Sequence, residues 1–260
     1  AADLIATLKQ LPDDIAITWL GLGSNTLVRD GGTAGVTIIT QGNLNELQLL
    51  NSQQVKVQAG VACAQMARFC ARNNLAKSEF WAGIPGTMGG ALRMNAGCFD
   101  GETWENLVSV ETINRLGDIR QKSPSEFSVA YRHVEGLAKD EWFLSATFEL
   151  PVGEKQVSLQ TIKNLLARRS ATQPTGEYNC GSVFRNPEGD FAARLIESCG
   201  LKGYKVGGAF VSTKHANFIT NDGHAKALDI EQLIDHVQQQ VFVKTGVHLK
   251  REVHVIGSSL

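Results

Sequence analysis

Ala82-Gly83-Ile84-Pro85-Gly86-Thr87-Met88-Gly89-Gly90-Ala91-Leu92-Arg93-Met94-Asn95-Ala96-Gly97 is the stretch on which the reading of the fold turns. It holds five glycines, at 83, 86, 89, 90 and 97, and one proline, yet its other residues are mostly apolar. Each glycine costs backbone entropy, so five in one segment need a reason. Tight turns would account for one or two. A segment this dense in glycine and this apolar reads better as backbone lying against a large flat ligand. There, N–H and C=O groups approach where side chains would collide, as they do around phosphates. Gly86 and Gly89 are the positions where a side chain is expected to strike that ligand.

Toward the N-terminus, Ile15–Leu20 reads as a strand that runs straight into Gly21-Leu22-Gly23-Ser24-Asn25-Thr26. Successive N–H groups of such a turn can wrap a diphosphate, with Ser24 and Asn25 adding donors. A plain hairpin turn fits the same residues. The Gly-Xaa-Gly-Xaa-Xaa-Gly spacing of a dinucleotide fold is missing, as is its long following helix. Leu4, Ile5 and Leu8 place a short helix ahead of this strand. Asp30-Gly31-Gly32 is a turn, and Val36–Thr40 and Val55–Gly60 are strands. Cys63–Asn73 is a helix burying Met66, Ala67, Phe69 and Cys70.

Beyond the glycine-rich stretch, Val108–Ile113 alternates and turns at Leu116-Gly117-Asp118, which predicts a hairpin. Ser123-Pro124-Ser125-Glu126 is a capping box with proline at the first helical position. Tyr131-Arg132 follows, then a strand over Glu141–Leu150. Pro151-Val152-Gly153 reads as a seam, because longer helices come next: Leu159–Arg169, Phe191–Cys199 and Asp229–Thr245. Asp229 and Gln232 are the expected caps of the last helix, with Ile230, Leu233, Ile234, Val237 and Val241 as its buried stripe. Arg251–Gly257 is a closing strand.

The 260 residues carry a net charge of −1, which argues against nucleic-acid binding through a basic face. No apolar run approaches the roughly 20 residues of a membrane span, and no basic segment of a signal peptide opens the chain. Five cysteines without Cys-Xaa-Xaa-Cys spacing suit reduced thiols in a cytoplasm. No His or Cys cluster has zinc spacing, so no metal is expected.

Four stretches resemble the bacterial UDP-N-acetylenolpyruvoylglucosamine reductases of peptidoglycan precursor synthesis: Gly21–Asn25, Ala82–Gly97, Cys180-Gly181-Ser182-Val183-Phe184-Arg185-Asn186-Pro187 and Arg251-Glu252-Val253. Their order and spacing match along nearly the whole chain. The first two point only to the wider group of flavoproteins with this cofactor fold; the last two are much more specific. The resemblance implies an α+β chain with a two-part FAD-binding domain over residues 1–152 and an α+β substrate-binding domain over 153–249. The closing strand near 250–260 is expected to pack back on the first domain. The short link after Arg132 resembles the compact form of the family, which lacks an extra loop and its tyrosine lid. The family pattern starts with a strand ending in Arg/Lys-Xaa-Gly-Gly. This chain begins after that point, so an N-terminal strand is expected to be missing.

The resemblance further implies non-covalent FAD, NADPH as hydride donor and UDP-N-acetylglucosamine enolpyruvate as acceptor, with the oligomeric state open. Residue by residue it makes Arg132, Ser182 and Glu252 catalytic. Cofactor contacts fall on Gly21, Leu22, Gly23, Ser24, Asn25, Thr26, Gly83, Ile84, Pro85, Gly86, Thr87, Met88, Gly89, Asn95, Ala96 and Gly97. Tyr131, Asn186 and Lys214 are expected at the substrate, with His215 and Asn217 beside them. Two other readings stand: a different FAD enzyme of the same cofactor fold oxidising an alcohol or sugar, and a nucleotide-binding module without catalysis. No histidine precedes position 133, which argues against covalently tethered flavin.

Overall fold

The structure is a computed structural model and describes residues 2–260. Two compact units make up the chain. The first takes the chain through Leu22 together with Gly35–Ala167, and the second takes Gly23–Ala34 with Arg168–Leu260. The architecture is α+β.

In the first unit a five-stranded antiparallel sheet runs Leu47–Leu49, Gln54–Gln58, Glu141–Glu149, Leu107–Asn114, Ile119–Lys122. Alternation sets its register: Val55, Val57, Val110, Ala146 and Phe148 all turn inward. Against that face lies the helix Cys63–Arg72, burying Met66, Ala67 and Cys70 as its periodicity predicts, with Phe69 only half-buried. Burial pushes the Cys70 thiol up to about 12, a packing residue and no nucleophile. A separate parallel pair, Ile17–Leu20 with Val36–Ile39, meets the main sheet where Trp19 and Trp142 stack with centroids 4.9 Å apart. The capping box at Ser123–Glu126 forms, and the following Phe127 packs on Trp104.

The seam expected at Pro151-Val152-Gly153 stays on this first unit. Ala76 N–H donates to Pro151 O and Gly153 N–H to Asn74 O, and Leu75 bridges Val152. The division falls instead inside the long helix Lys155–Thr172.

The second unit holds a four-stranded antiparallel sheet, in the order Tyr178–Asn179, Ile219–Asn221, Ala209–Val211, Lys205–Val206. The helices Ala192–Ser198 and Ala227–Thr245 share a core with Phe184 and Val211. Leu233, Ile234, Val237 and Val241 are buried as the stripe predicts, and Ile230 is only half-buried. The helix ends at Gly246, left-handed at φ 73°, as a glycine stop should.

Its start differs from the expected Asp229–Gln232 pair. Asp229 sits at the third helical position and accepts from Lys226 N–H at 2.9 Å. The carboxylate that meets the first helical N–H groups is Asp30, at 3.0 Å from Ala227 N and 3.4 Å from Leu228 N. Asp30 is about two hundred positions away in sequence, so no local pattern could reveal it. The closing strand His254–Ile256 pairs in parallel with Thr26–Val28. It thus returns to an N-terminal segment, and that segment belongs to the second unit with it. Among the described residues no helix is long and apolar enough to cross a membrane.

Candidate active site

In the first unit the glycine-rich stretch becomes a short 3-10 turn, Glu79–Gly83, a connector and the helix Met88–Arg93. Cys63 N–H donates to Gly86 O, Met88 N–H to Val61 O and Gly89 N–H to Ala59 O, each at 2.9 Å. Most of its glycines answer to the protein itself. A Cβ on Gly89 would stand 2.8 Å from Ala59 Cβ, and one on Gly83 2.7 Å from the Phe99 ring. Side chains at Gly21 and Gly97 would strike Thr87 and the Gly101 carbonyl. Substitution at Gly89 therefore reports on packing against Ala59 and is no clean test of a ligand.

Open space lies elsewhere. A Cβ on Gly90 would meet only Thr87 Oγ1, at 3.8 Å. The Thr87 hydroxyl is buried without a hydrogen-bond partner, on a residue 2% exposed. A buried hydroxyl left unpaired costs free energy unless something else satisfies it. Leu22 is 48% exposed at the end of the neighbouring strand. Ile84 is half-buried and Pro85 exposed, whereas Met88 and Ala96 lie in the hydrophobic core. Asn95 is buried with φ 45°; its amide donates to Glu102 at 2.8 Å and accepts from Trp104 N–H at 3.2 Å.

Arg132 belongs to this same unit. It closes the hairpin Ser128–Ala130 with His133–Glu135 and holds φ 54°, a region most side chains avoid. Its guanidinium donates to Gly97 O at 2.7 Å and to Asn95 O at 3.3 Å. The hairpin tip is thereby tied to the end of the glycine-rich stretch. Tyr131 lies beneath it, with its ring centroid 5.1 Å from the guanidinium carbon, and is 45% exposed.

In the second unit the segments that bear Ser182 and Glu252 pair. Phe184 and Arg251 form an isolated antiparallel bridge, Glu252 N–H donates to Val183 O at 2.8 Å, and Arg185 N–H donates to Lys250 O at 2.9 Å. The backbone beside Ser182 has little freedom. Asn217, 4% exposed, accepts from Phe184 N–H at 3.0 Å and donates to Phe184 O at 2.8 Å. Val183 N–H donates to Asn217 O. Asn217 is thus a strut of this backbone. Gly181 takes φ 77°, and its N–H donates to Asn179 Oδ1 at 3.0 Å.

The Gly-Ser-Asn turn lies in the same unit. Gly23 has φ 74°, and a Cβ there would find nothing within 4 Å. Asn25 bonds to Glu252, and Thr26 pairs with His254. Arg251 is drawn onto the helix Ala227–Thr245, donating to Asp235 and to Gln238 Oε1. Burial holds the Cys180 thiol up at about 11, which argues against a nucleophile there. His215 is kept below its ordinary value by burial and by Lys202, and its Nδ1 accepts from Asn217 N–H, so the ring stays neutral. Asn186 Oδ1 accepts from Ala192 N–H, capping a short helix. Lys214 Nζ donates to Ser170 O at 2.5 Å from an exposed position.

Sequence reasoning missed Asp30, the strut role of Asn217 and the bond from Asn25 to Glu252. All three join residues far apart in the chain, and none carries a local signal.

Comparison with known proteins adds two family matches. The family model described as FAD binding domain matches residues 1–122. The model described as UDP-N-acetylenolpyruvoylglucosamine reductase, C-terminal domain, matches residues 173–256. The UDP-N-acetylenolpyruvoylglucosamine reductase of Legionella pneumophila (strain Paris) is 63% identical over 258 residues, which cover 99% of this chain and 85% of that one. That of Alkalilimnicola ehrlichii is 53% identical, covering 99% and 86%. Among solved structures, the UDP-N-acetylenolpyruvylglucosamine reductase (MurB) of Thermus caldophilus aligns with a TM-score of 0.84 at 31% identity, covering 98% of this chain and 89% of that one.

Proposed function

The chain belongs to the UDP-N-acetylenolpyruvoylglucosamine reductase family, and from that membership we propose what its individual residues do. It is an FAD-dependent, NADPH-consuming oxidoreductase that reduces the enolpyruvyl group of UDP-N-acetylglucosamine enolpyruvate to give UDP-N-acetylmuramate for peptidoglycan precursors. Residues 1–152 form the FAD-binding part and 153–249 the substrate part in this reading, with Gly23–Ala34 contributing to the second compact unit. Five reduced cysteines support a cytoplasmic setting.

The residues fit the cofactor. Thr87 offers a buried hydroxyl without a partner, and Gly90 and Gly23 leave space that side chains would fill. Gly21–Thr26, Gly83–Gly89 and Asn95–Gly97 would hold FAD, largely through backbone groups. When bound, FAD supplies the hydride chemistry, and the protein supplies geometry and charge.

Reducing a vinyl ether of pyruvate places negative charge on the carboxylate before the neighbouring carbon takes a proton. Stabilising that charge is the largest catalytic task. Arg132 is the cation assigned to it. A serine hydroxyl is a poor acid in water, but an enolate carbon is a strong base, so Ser182 can deliver the proton. Glu252 shares or orients that proton transfer. Tyr131, Asn186 and Lys214 are assigned to the nucleotide portion of the substrate, whose diphosphate a lysine suits.

The observation that carries this reading is the bridge joining Phe184 to Arg251, which pairs the motif bearing Ser182 with the motif bearing Glu252, about seventy residues later. Ser182→Ala tests it by anaerobic stopped flow. Reduction of the flavin by NADPH is expected within about tenfold of the wild type, with reoxidation by the enolpyruvyl substrate slowed on the order of a thousandfold. Equal slowing of both steps would make Ser182 a flavin-positioning residue and overturn its role as acid.

A further inference from the structure

The Gly-Ser-Asn pattern makes Asn25 a candidate donor to a diphosphate, yet its amide is turned on the segment that bears Glu252. Asn25 Nδ2 donates to the Glu252 carbonyl at 3.2 Å, and the Asn25 carbonyl accepts from His254 N–H at 3.0 Å. The two bonds bracket Val253, which is buried. From the opposite direction Glu252 N–H reaches Val183 O at 2.8 Å. The peptide before Glu252 is thus fixed by the residue after Ser182, and the peptide following it by Asn25. With both of its peptide planes set, Glu252 has its Cα–Cβ direction set too.

The turn touches the other flank of Ser182 as well. A Cβ at Gly181 would lie 3.7 Å from the Ser24 carbonyl. The far end of the same segment is anchored: Arg29 Nε meets both carboxylate oxygens of Glu231 at 2.9 and 3.0 Å, and Asp30 caps the helix at Ala227. A turn held this firmly can hold something else.

We propose that Asn25 is a positioning residue for Glu252, coupling the Gly-Ser-Asn turn to the group that shares or orients proton transfer in the substrate half-reaction. This rests on the reading of Glu252 given above. His254 N–H bonds the backbone of residue 25 whatever its side chain, so strand pairing survives substitution there. The amide bond to the Glu252 carbonyl is lost. Asn25→Asp keeps the shape and sets a carboxylate oxygen against the Glu252 carbonyl; Asn25→Ala removes the contact without repulsion.

The test uses the FAD-loaded enzyme, anaerobically, with each variant alone and combined with Glu252→Gln. In the flavin-loaded fraction of Asn25→Asp and Asn25→Ala, reoxidation by substrate should slow by about tenfold or more, as expected when a catalytic group is slightly misplaced. The double variants should be no slower than Glu252→Gln alone, the non-additivity of two residues acting as one unit. The pH profile of reoxidation should shift in Asn25→Ala and flatten in Glu252→Gln. Multiplying effects in the double variants would overturn the coupling, as would loss of bound flavin with unchanged reoxidation of what remains. Unchanged reoxidation in Glu252→Gln itself would remove Glu252 from the chemistry, and the proposal would fall with it for a separately identifiable reason.

Discussion

Arg132 concentrates the account at the scale of a single residue. Holding a non-glycine residue at φ 54° costs of order 1–3 kcal/mol, a cost met only where the surroundings over-determine it. Here the planar guanidinium supplies that determination, through Gly97 O at 2.7 Å and Asn95 O at 3.3 Å. A lysine keeps the charge but cannot reach two carbonyls with one rigid fork. Arg132→Lys is therefore expected to remain folded and flavin-loaded while turnover falls by roughly a hundredfold, in the range for losing an oriented donor to a developing oxyanion. Steady-state kinetics and the flavin absorbance of the same preparation check this. Near-wild-type turnover would show that charge alone suffices. The sequence marked Arg132 only through its motif. Nothing local revealed its backbone conformation or its hold on Gly97, because both depend on a hairpin that folds back over residues thirty-five positions earlier.

At the scale of elements, the five-stranded sheet buries an ion pair between the ends of two strands that no local pattern marks. Lys122 and Glu141 meet at 2.8 Å with side chains only 13% and 6% exposed. Burial alone would raise the Glu141 carboxyl. Hydrogen bonds from Lys122, Thr112 and the Ala138 N–H outweigh it, and the pKa ends below the ordinary value. A carboxyl depressed in the fold contributes stability that is fully present above its unfolded-state pKa, about 4.3, and is lost as pH falls through the lower folded value. Lys122→Met leaves that buried carboxylate without its cation and should cost about 3–5 kcal/mol at pH 7. The deficit should shrink at an acid pH below the ordinary carboxylate range, where Glu141 takes up a proton. Urea unfolding at the two pH values measures it, and an equal deficit at both would contradict the pairing. Strands such as Leu107–Asn114 were legible because inward and outward residues alternate. The start of the helix Ala227–Thr245 was not, because its cap comes from Asp30 across the sequence.

At the scale of the whole molecule, the compact units do not follow local composition. Pro151-Val152-Gly153 has the look of a linker, but its backbone pairs with Asn74 and Ala76 and stays with the first unit. Conversely, Gly23–Ala34 sits early in the chain yet belongs to the second unit, because a parallel strand pair and the Asp30 cap bind it there. The motifs themselves were readable one by one. Their assembly was not, since the Phe184–Arg251 bridge and the Asn25–Glu252 bond are long-range pairings with no periodic signature. What the assembled chain does can be measured in one titration. Protein carrying FAD, kept free of oxygen, is given one equivalent of NADPH and then one equivalent of UDP-N-acetylglucosamine enolpyruvate, with the flavin absorbance followed throughout. The first addition is expected to bleach the flavin, and the second to restore it while one equivalent of UDP-N-acetylmuramate forms. A bleached flavin that the enolpyruvyl substrate leaves reduced, and that only oxygen restores, would contradict that expectation.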